Sequence, residues 1–204
     1  MTEEFKEFSD KACVKMVIEG IDEAFNELVK RHFEKIYGLA YRMLGNVEDA
    51  DDATQESFIE AYKSIKSFQY RSKFSTWLYR VAINTCQQFI RRDQSRIRAI
   101  SAFEEKVKYQ ESKKVPKTPD SIVIEKERNR LVQSAIEQLP EKQRIVVILF
   151  YMQHLKYREI AELLECSEGT VASRLNSALK KLRPKLIKTC LLYTSPSPRD
   201  LSTS

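Results

Sequence analysis

Between residues 22 and 65 apolar side chains recur at every third or fourth position, and this spacing limits the chain more than any other feature. Phe25, Leu28, Val29, Phe33, Ile36, Tyr37, Ala40, Met43 and Leu44 form one helical stripe that starts near Asp22. Gly45-Asn46 interrupts it, with Asn46 placed to cap a second helix and Glu48 and Asp49 in that helix's first turn. Ala50, Ala53, Phe58, Ala61, Tyr62 and Ile65 are then its inward face. A strand cannot use a stripe of this period. With 4 glycines and 6 prolines in 204 residues, long helices and short connections are expected throughout, so the fold class is all-α.

Residues 68–73 read as a loop, followed by a helix from about Ser75 to Arg92 with the stripe Leu78, Val81, Ala82, Cys86, Phe89 and Ile90. From Asp93 the periodicity lapses, and Pro116 and Pro119 mark a flexible linker. Periodicity resumes from Ile122 to Leu139, Pro140 suits the first turn of a further helix, and two shorter helices follow. The expected organisation is two small helical domains, 1–92 and 122–190, joined by a linker over 93–121. Residues 191–204, LLYTSPSPRDLSTS, lack an apolar face and are expected to be a non-native or disordered tail.

The chain carries no run of about eighteen apolar residues, so membrane insertion is not expected. The acidic start, MTEEFKEFSD, and four scattered cysteines fit a cytoplasmic protein with reduced thiols. Two histidines give little for a metal site, and no cofactor is expected. The net charge of +6 is strongly segregated. Residues 47–60 hold Glu48, Asp49, Asp51, Asp52, Glu56 and Glu60 and no base; residues 61–100 hold nine bases and one acid, Asp93. A second basic cluster (Arg174, Lys180, Lys181, Arg183, Lys185 and Lys188) lies near the C-terminus. Solvated helix faces usually mix signs, so this segregation points to a polyanion such as nucleic acid.

Two segments give that partner a form. In YREIAELLECSEGTVASRLNSALKKL, residues 157–182, Tyr157, Ile160, Ala161 and Leu164 make one inward stripe and Val171, Leu175, Leu179 and Leu182 another. Ser167 can cap the second helix beside Gly169, the spacing of a helix-turn-helix. Ser173, Ser177 and Lys180 then face outward, flanked by Arg174, Asn176 and Lys181: hydroxyl, amide and cationic groups suited to base edges and phosphates. In FQYRSKFSTWLYRVAINT, residues 68–85, rings and cations alternate. Aromatic faces stack on unpaired bases while cations hold phosphates. Tyr70 in the loop favours that role, Trp77 divides evenly between it and the core, and Phe74 leans to the core. Asn84 shares a polar face with Arg80 and Gln87 and offers an amide to a base edge.

YRMLGNVEDADDATQESFIEAY, FSTWLYRVAINT, IEQLPEKQRIVVILFY and the helix-turn-helix, in this order, resemble the bacterial extracytoplasmic-function (ECF) sigma factors of the sigma-70 superfamily. The resemblance implies a sigma factor that binds core RNA polymerase, recognises promoter DNA and promotes strand opening, without covalent chemistry of its own. It implies that the acidic helix carrying Asp49, Asp52, Gln55 and Glu56 docks on the clamp helices of the polymerase's largest subunit. It implies that Phe68, Tyr70, Arg71, Lys73, Trp77, Arg80 and Asn84 engage unpaired minus-ten bases. Thr170, Ser173, Arg174, Asn176, Ser177, Lys180 and Lys181 would read the minus-thirty-five duplex. The flap of the second-largest subunit and an anti-sigma factor are further implied partners. Ala172 departs from a lysine or arginine common in the family, and Lys156 stands where a capping serine or threonine is usual.

A stand-alone helix-turn-helix regulator, binding duplex DNA without polymerase, is the alternative; it leaves the aromatic loop and acidic ridge without a role. An enzyme using Asp49, Asp51 and Asp52 as metal ligands is remote, since Asp51 turns away from the face the other two share.

Overall fold

The first long helix ends on a glycine, and that ending organises the molecule. A computed structural model of the chain describes residues 5–103 and 121–194. Among the described residues the regular structure is entirely helical. In chain order the helices are α1 (Asp10–Ile18), α2 (Glu23–Leu44), α3 (Val47–Ser64), α4 (Phe74–Phe103), α5 (Ser121–Glu137), α6 (Glu141–Val147), α7 (Tyr157–Leu163) and α8 (Glu168–Thr194). A 3-10 turn, Ile65–Ser67, extends α3, and a π turn, Ile148–Met152, extends α6.

The expected caps form. Asn46 Oδ1 accepts from the Asp49 N–H at 2.7 Å, starting α3, and Gly45 closes α2 at φ 84°, a left-handed turn that costs glycine nothing. α2, α3 and α4 pack on one another around Leu28, Ile36, Leu39, Met43, Ala50, Ala53, Leu78, Ala82 and Cys86, all essentially without exposure. Two side chains assigned to that core lie outside it: Phe33 and Tyr62 are exposed at the surface, Tyr62 edge-on to Phe25 at 5.1 Å. α4 continues to Phe103 rather than stopping at Arg92, because neither glycine nor proline interrupts residues 74–103. Of the expected linker, 104–120 lies outside the described residues. So does 195–204 of the tail, while α8 includes residues 191–194.

α1 has no counterpart in the sequence reading. Ser9 Oγ accepts from the Ala12 N–H at 3.3 Å, and Cys13, Val14 and Val17 are buried against α2. Arg31 of α2 fastens the approach to it, donating to the carbonyls of Phe5 (2.9 Å), Lys6 (3.0 Å) and Phe8 (2.6 Å). A guanidinium fork can serve several acceptors in one plane, which a lysine cannot.

The second set of helices closes on α8, whose Val171, Leu175, Ala178 and Leu182 pack among α5, α6 and α7. Here Ala178 takes the place expected of Leu179, which is 36% exposed. The two halves meet at the C-terminus of α2. A helix leaves its last carbonyls without partners in its own backbone. Gln133 Nε2 reaches the Tyr41 and Arg42 carbonyls (3.3 and 3.4 Å), and Arg144 Nη1 donates to the Met43 carbonyl at 2.7 Å. Nη2 of the same arginine donates to the carbonyls of Glu137 and Leu139. A Cβ on Gly45 would displace the Glu137 carboxylate, which a flexible side chain allows, so the left-handed φ is what requires glycine at this position.

Arg144→Met should therefore cost about 2 kcal/mol, the scale of hydrogen bonds from a charged donor. Urea denaturation would show it as a lowered midpoint, with faster amide exchange at the end of α2.

Candidate nucleic-acid interface

The loop between Ser67 and Phe74 is built on a wedge of rings. Phe68 and Phe74 are buried, meeting nearly at right angles at 6.1 Å, and the half-buried Trp77 lies 5.3 and 5.6 Å from them. Phe68 was expected to touch unpaired bases; it is instead a core residue, 6% exposed, and holds the loop from beneath. Tyr70 is the ring the loop presents outward, 40% exposed and 4.8 Å from Phe68. Its φ of 55° is left-handed, a conformation costing a non-glycine residue roughly 1 kcal/mol, and such strain gathers at functional positions. Lys11 Nζ lies 5.9 Å from the Tyr70 ring centre. Arg71 and Lys73, which follow it, are exposed, with Lys73 Nζ 3.9 Å from Glu159.

Arg80, Asn84 and Gln87 share one face of α4, as their spacing predicts, but that face looks onto the second half of the molecule. Arg80 Nη1 donates to Glu165 Oε1 at 2.9 Å and Nη2 to the Glu162 carbonyl at 2.7 Å. Gln87 Nε2 donates to Glu141 at 2.7 Å, and the Tyr79 hydroxyl donates to Gln153 at 2.6 Å. Asn84 remains exposed in a cleft of about 280 Å³ against Leu163, Leu164 and Glu165. Two of the groups on the polar face are thus engaged within the chain in this arrangement.

In the helix-turn-helix, Ser167 Oγ accepts from the Thr170 N–H at 3.1 Å and starts α8. Glu165 turns the chain at φ 51°. Glu159 accepts from the Lys156 N–H at 2.9 Å, which partly offsets the missing hydroxyl cap. Ser173, Asn176, Lys180 and Lys181 are exposed on α8, whereas Thr170, Arg174 and Ser177 are half-buried. Arg174 Nη1 lies 3.9 Å from the Cys166 sulfur, and Thr170 Oγ1 is hydrogen-bonded to Ser167 Oγ at 2.9 Å.

On α3, Asp52 and Gln55 are exposed, Glu56 is half-buried 3.7 Å from Arg92, and Asp49 accepts from the Asn46 amide at 2.7 Å. Beside this ridge stand Val47 and Ile59, 51% and 53% exposed, and Phe33 stacks on Tyr37 at 6.3 Å. The sequence reading missed these apolar groups. Their signal was present: Ile59 falls off the buried stripe of α3.

Among the described residues no group of histidines, cysteines or carboxylates is placed to hold a metal ion, and no helix is long and apolar enough to cross a membrane. The sigma-70 region 2 family model matches residues 28–96 and the sigma-70 region 4 model matches residues 129–182. The chain is 38% identical over 179 residues to the ECF RNA polymerase sigma factor SigW of Bacillus subtilis, covering 86% of this chain and 96% of that protein. This chain belongs to the ECF sigma factors.

The ECF RNA polymerase sigma-E factor of Escherichia coli K12 is a further relative, 34% identical over 186 residues, or 89% of this chain and 96% of that one. Among solved structures, CnrH in complex with the cytosolic domain of CnrY superposes with a TM-score of 0.65 at 22% identity, covering 88% of this chain and 97% of that chain. The sigma factor RpoE of Bartonella quintana, in complex with the anti-sigma factor NepR, gives 0.61 at 21%, covering 79% and 96%. Both share the fold. In sigma-factor terms the seam described above joins region 2 to region 4, and α1 precedes both matched regions.

Burial at that seam pushes the Tyr79 phenol from its ordinary value up to about 12. The neutral form is the one the folded state favours, so its contribution is complete below the unfolded value of about 10 and lost as pH rises towards 12. Denaturation midpoints should fall across that alkaline window, and Tyr79→Phe should make the fall shallower.

Proposed function

We propose that this ECF sigma factor divides promoter reading between its two regions. The loop at 68–73, with Tyr70, Arg71 and Lys73 at its surface, engages unpaired minus-ten bases, Trp77 backs it, and Asn84 and Arg80 extend the same strand path along α4. The exposed tip of α8 enters the minus-thirty-five major groove, with Ser173 and Asn176 toward base edges and Arg174, Lys180 and Lys181 toward phosphates. Thr170 and Ser177 complete that face. The acidic ridge of Asp49, Asp52, Gln55 and Glu56, with the apolar groups beside it, docks on the clamp helices of the polymerase's largest subunit. Opposite charge around an apolar centre gives such a contact both steering and adhesion. Region 4 meets the flap of the second-largest subunit. The protein itself performs no covalent step, acts in the cytoplasm, and is held in reserve by an anti-sigma factor.

The observation that carries this reading is Tyr70: a strained, outward ring on a buried aromatic wedge, followed by the exposed cations Arg71 and Lys73. Because Arg80 is paired with Glu165 and Glu162, region 4 must leave the α4 face before the minus-ten strand can lie along it. Core polymerase, by taking hold of both regions, supplies the free energy for that separation.

Mobility shifts on promoter DNA test the whole: a shift only with core polymerase is expected, and tight binding by the chain alone would indicate a stand-alone regulator. Arg174→Ala and Lys180→Ala should each weaken duplex binding and reduce the salt slope by roughly one. Tyr70→Ala should leave closed-complex formation intact and diminish permanganate reactivity in the melted segment.

A further inference from the structure

α4 outlasts the body it packs on. Phe89 and Ile90 still lie against the core, while every residue from Arg91 to Arg96 is exposed. The helix nevertheless runs on to Phe103.

Its arginines fall on two sides. Seven residues make almost two turns, so a position recurs on the same side at that interval. Arg91 lies seven residues after Asn84, and the sequence sets Arg98 seven residues further. This line continues the polar face of Arg80, Asn84 and Gln87, and Arg91 stands past the contacts that occupy Arg80 and Gln87. Arg92 and Arg96, four residues apart, share the other side. There Arg92 Nη1 is 3.7 Å from Glu56 of α3, and its guanidinium lies 5.5 Å from the centre of the Phe89 ring.

Arg91 has no hydrogen-bond or ion-pair partner among the described residues. Three and four positions either way stand Gln87, Gln88, Gln94 and Ser95, so no carboxylate is offered along the helix. The same intervals around position 98 hold Gln94, Ser95, Ser101 and Ala102, again without an acid. Nor does the helix dipole account for Arg91, since that effect fades within the last turn and Arg91 precedes it by two turns or more. The line therefore presents amides, a hydroxyl and cations with no charge of its own to answer them. Phosphate oxygens accept from groups of these kinds.

Length and direction select which phosphates. At 1.5 Å per residue, positions 91 and 98 lie about 10 and 21 Å beyond Asn84, the rise of roughly three to six base pairs. From this end of α4 the chain passes to α5 and the rest of region 4.

We propose that the end of α4 holds phosphates of the intact duplex beside the opened minus-ten segment, on the side facing the minus-thirty-five element, through Arg91 and Arg98. The inference rests on the strand path along α4 and carries it into the spacer. These contacts set the position of the duplex and read no base.

The test measures binding of the full chain with core polymerase to promoter DNA across a salt series. Arg91→Gln and Arg98→Gln should each flatten the slope of log affinity against log salt by about 0.9, and the double variant by about twice that. Arg92→Gln and Arg96→Gln should leave the wild-type slope unchanged. Neutral methylphosphonates, placed singly within about six base pairs upstream of the minus-ten segment, locate the contact. At the phosphate Arg91 holds, the substitution should flatten the wild-type slope by the same amount and have no effect on Arg91→Gln.

Unchanged slopes in both Arg91→Gln and Arg98→Gln, equal losses in all four variants, or a response of Arg91→Gln to every neutral phosphate the wild type senses would each overturn the proposal. If no polymerase-dependent complex forms on the promoter, the reading of the two regions fails and this inference with it. A normal complex with an unaltered slope sinks the inference alone.

Discussion

The three carbonyls at the end of α2 have to be satisfied, and the way they are satisfied decides the shape of this sigma factor. A helix finishing on a left-handed glycine closes one of them locally, through the Gly45 N–H to the Tyr41 carbonyl at 2.8 Å. The others look outward at the point where the two family regions meet. Gln133 and Arg144, from the region 4 half, supply the donors. Burial lowers the pKa of Arg144 from its ordinary value, the signature of a cation partly withdrawn from water. It nevertheless remains a donor, since a guanidinium is not deprotonated in proteins. A backbone requirement in one region is thus met by side chains of the other.

That tie has a consequence further along α4. With the regions joined at α2, α4 lies against the second half of the molecule, where Arg80, Gln87 and Tyr79 find partners in Glu165 just after α7, Glu141 at the start of α6 and Gln153 after the π turn. The contacts are polar, and the Arg80 pair is partly in water, its two side chains 43% and 78% exposed. Exposed pairs of this kind contribute little each.

The loop at 68–73 shows a different economy. Its rings are divided between structure and display: Phe68 and Phe74 are withdrawn so that Tyr70 can be held out in a strained conformation. The position of α1 against this loop depends on Arg31, whose donors collect a stretch of chain that has no helix of its own. Scaffold and site are therefore coupled through one arginine more than twenty residues away in sequence.

Local chemistry in the sequence determined where helices begin and end at Gly45-Asn46 and Ser167, which stripes turn inward on α2 and α3, and the all-helical class. Those outcomes depend on neighbours within one turn, and a turn is visible in the residue order. Family membership was legible for the same reason: four blocks keep their order and spacing whatever the packing. Tertiary structure alone decided that Phe68 is floor rather than contact, that Ala178 rather than Leu179 faces inward, and that Arg80 meets Glu165 across 85 positions. α1 lay between these limits, with its cap at Ser9 and its apolar Cys13, Val14 and Val17 present in sequence but too short a run to stand out without α2 behind it. Periodicity says which face of a helix avoids water; it says nothing of what covers that face. A charge names the sign of its partner, and only the folded chain selects the partner.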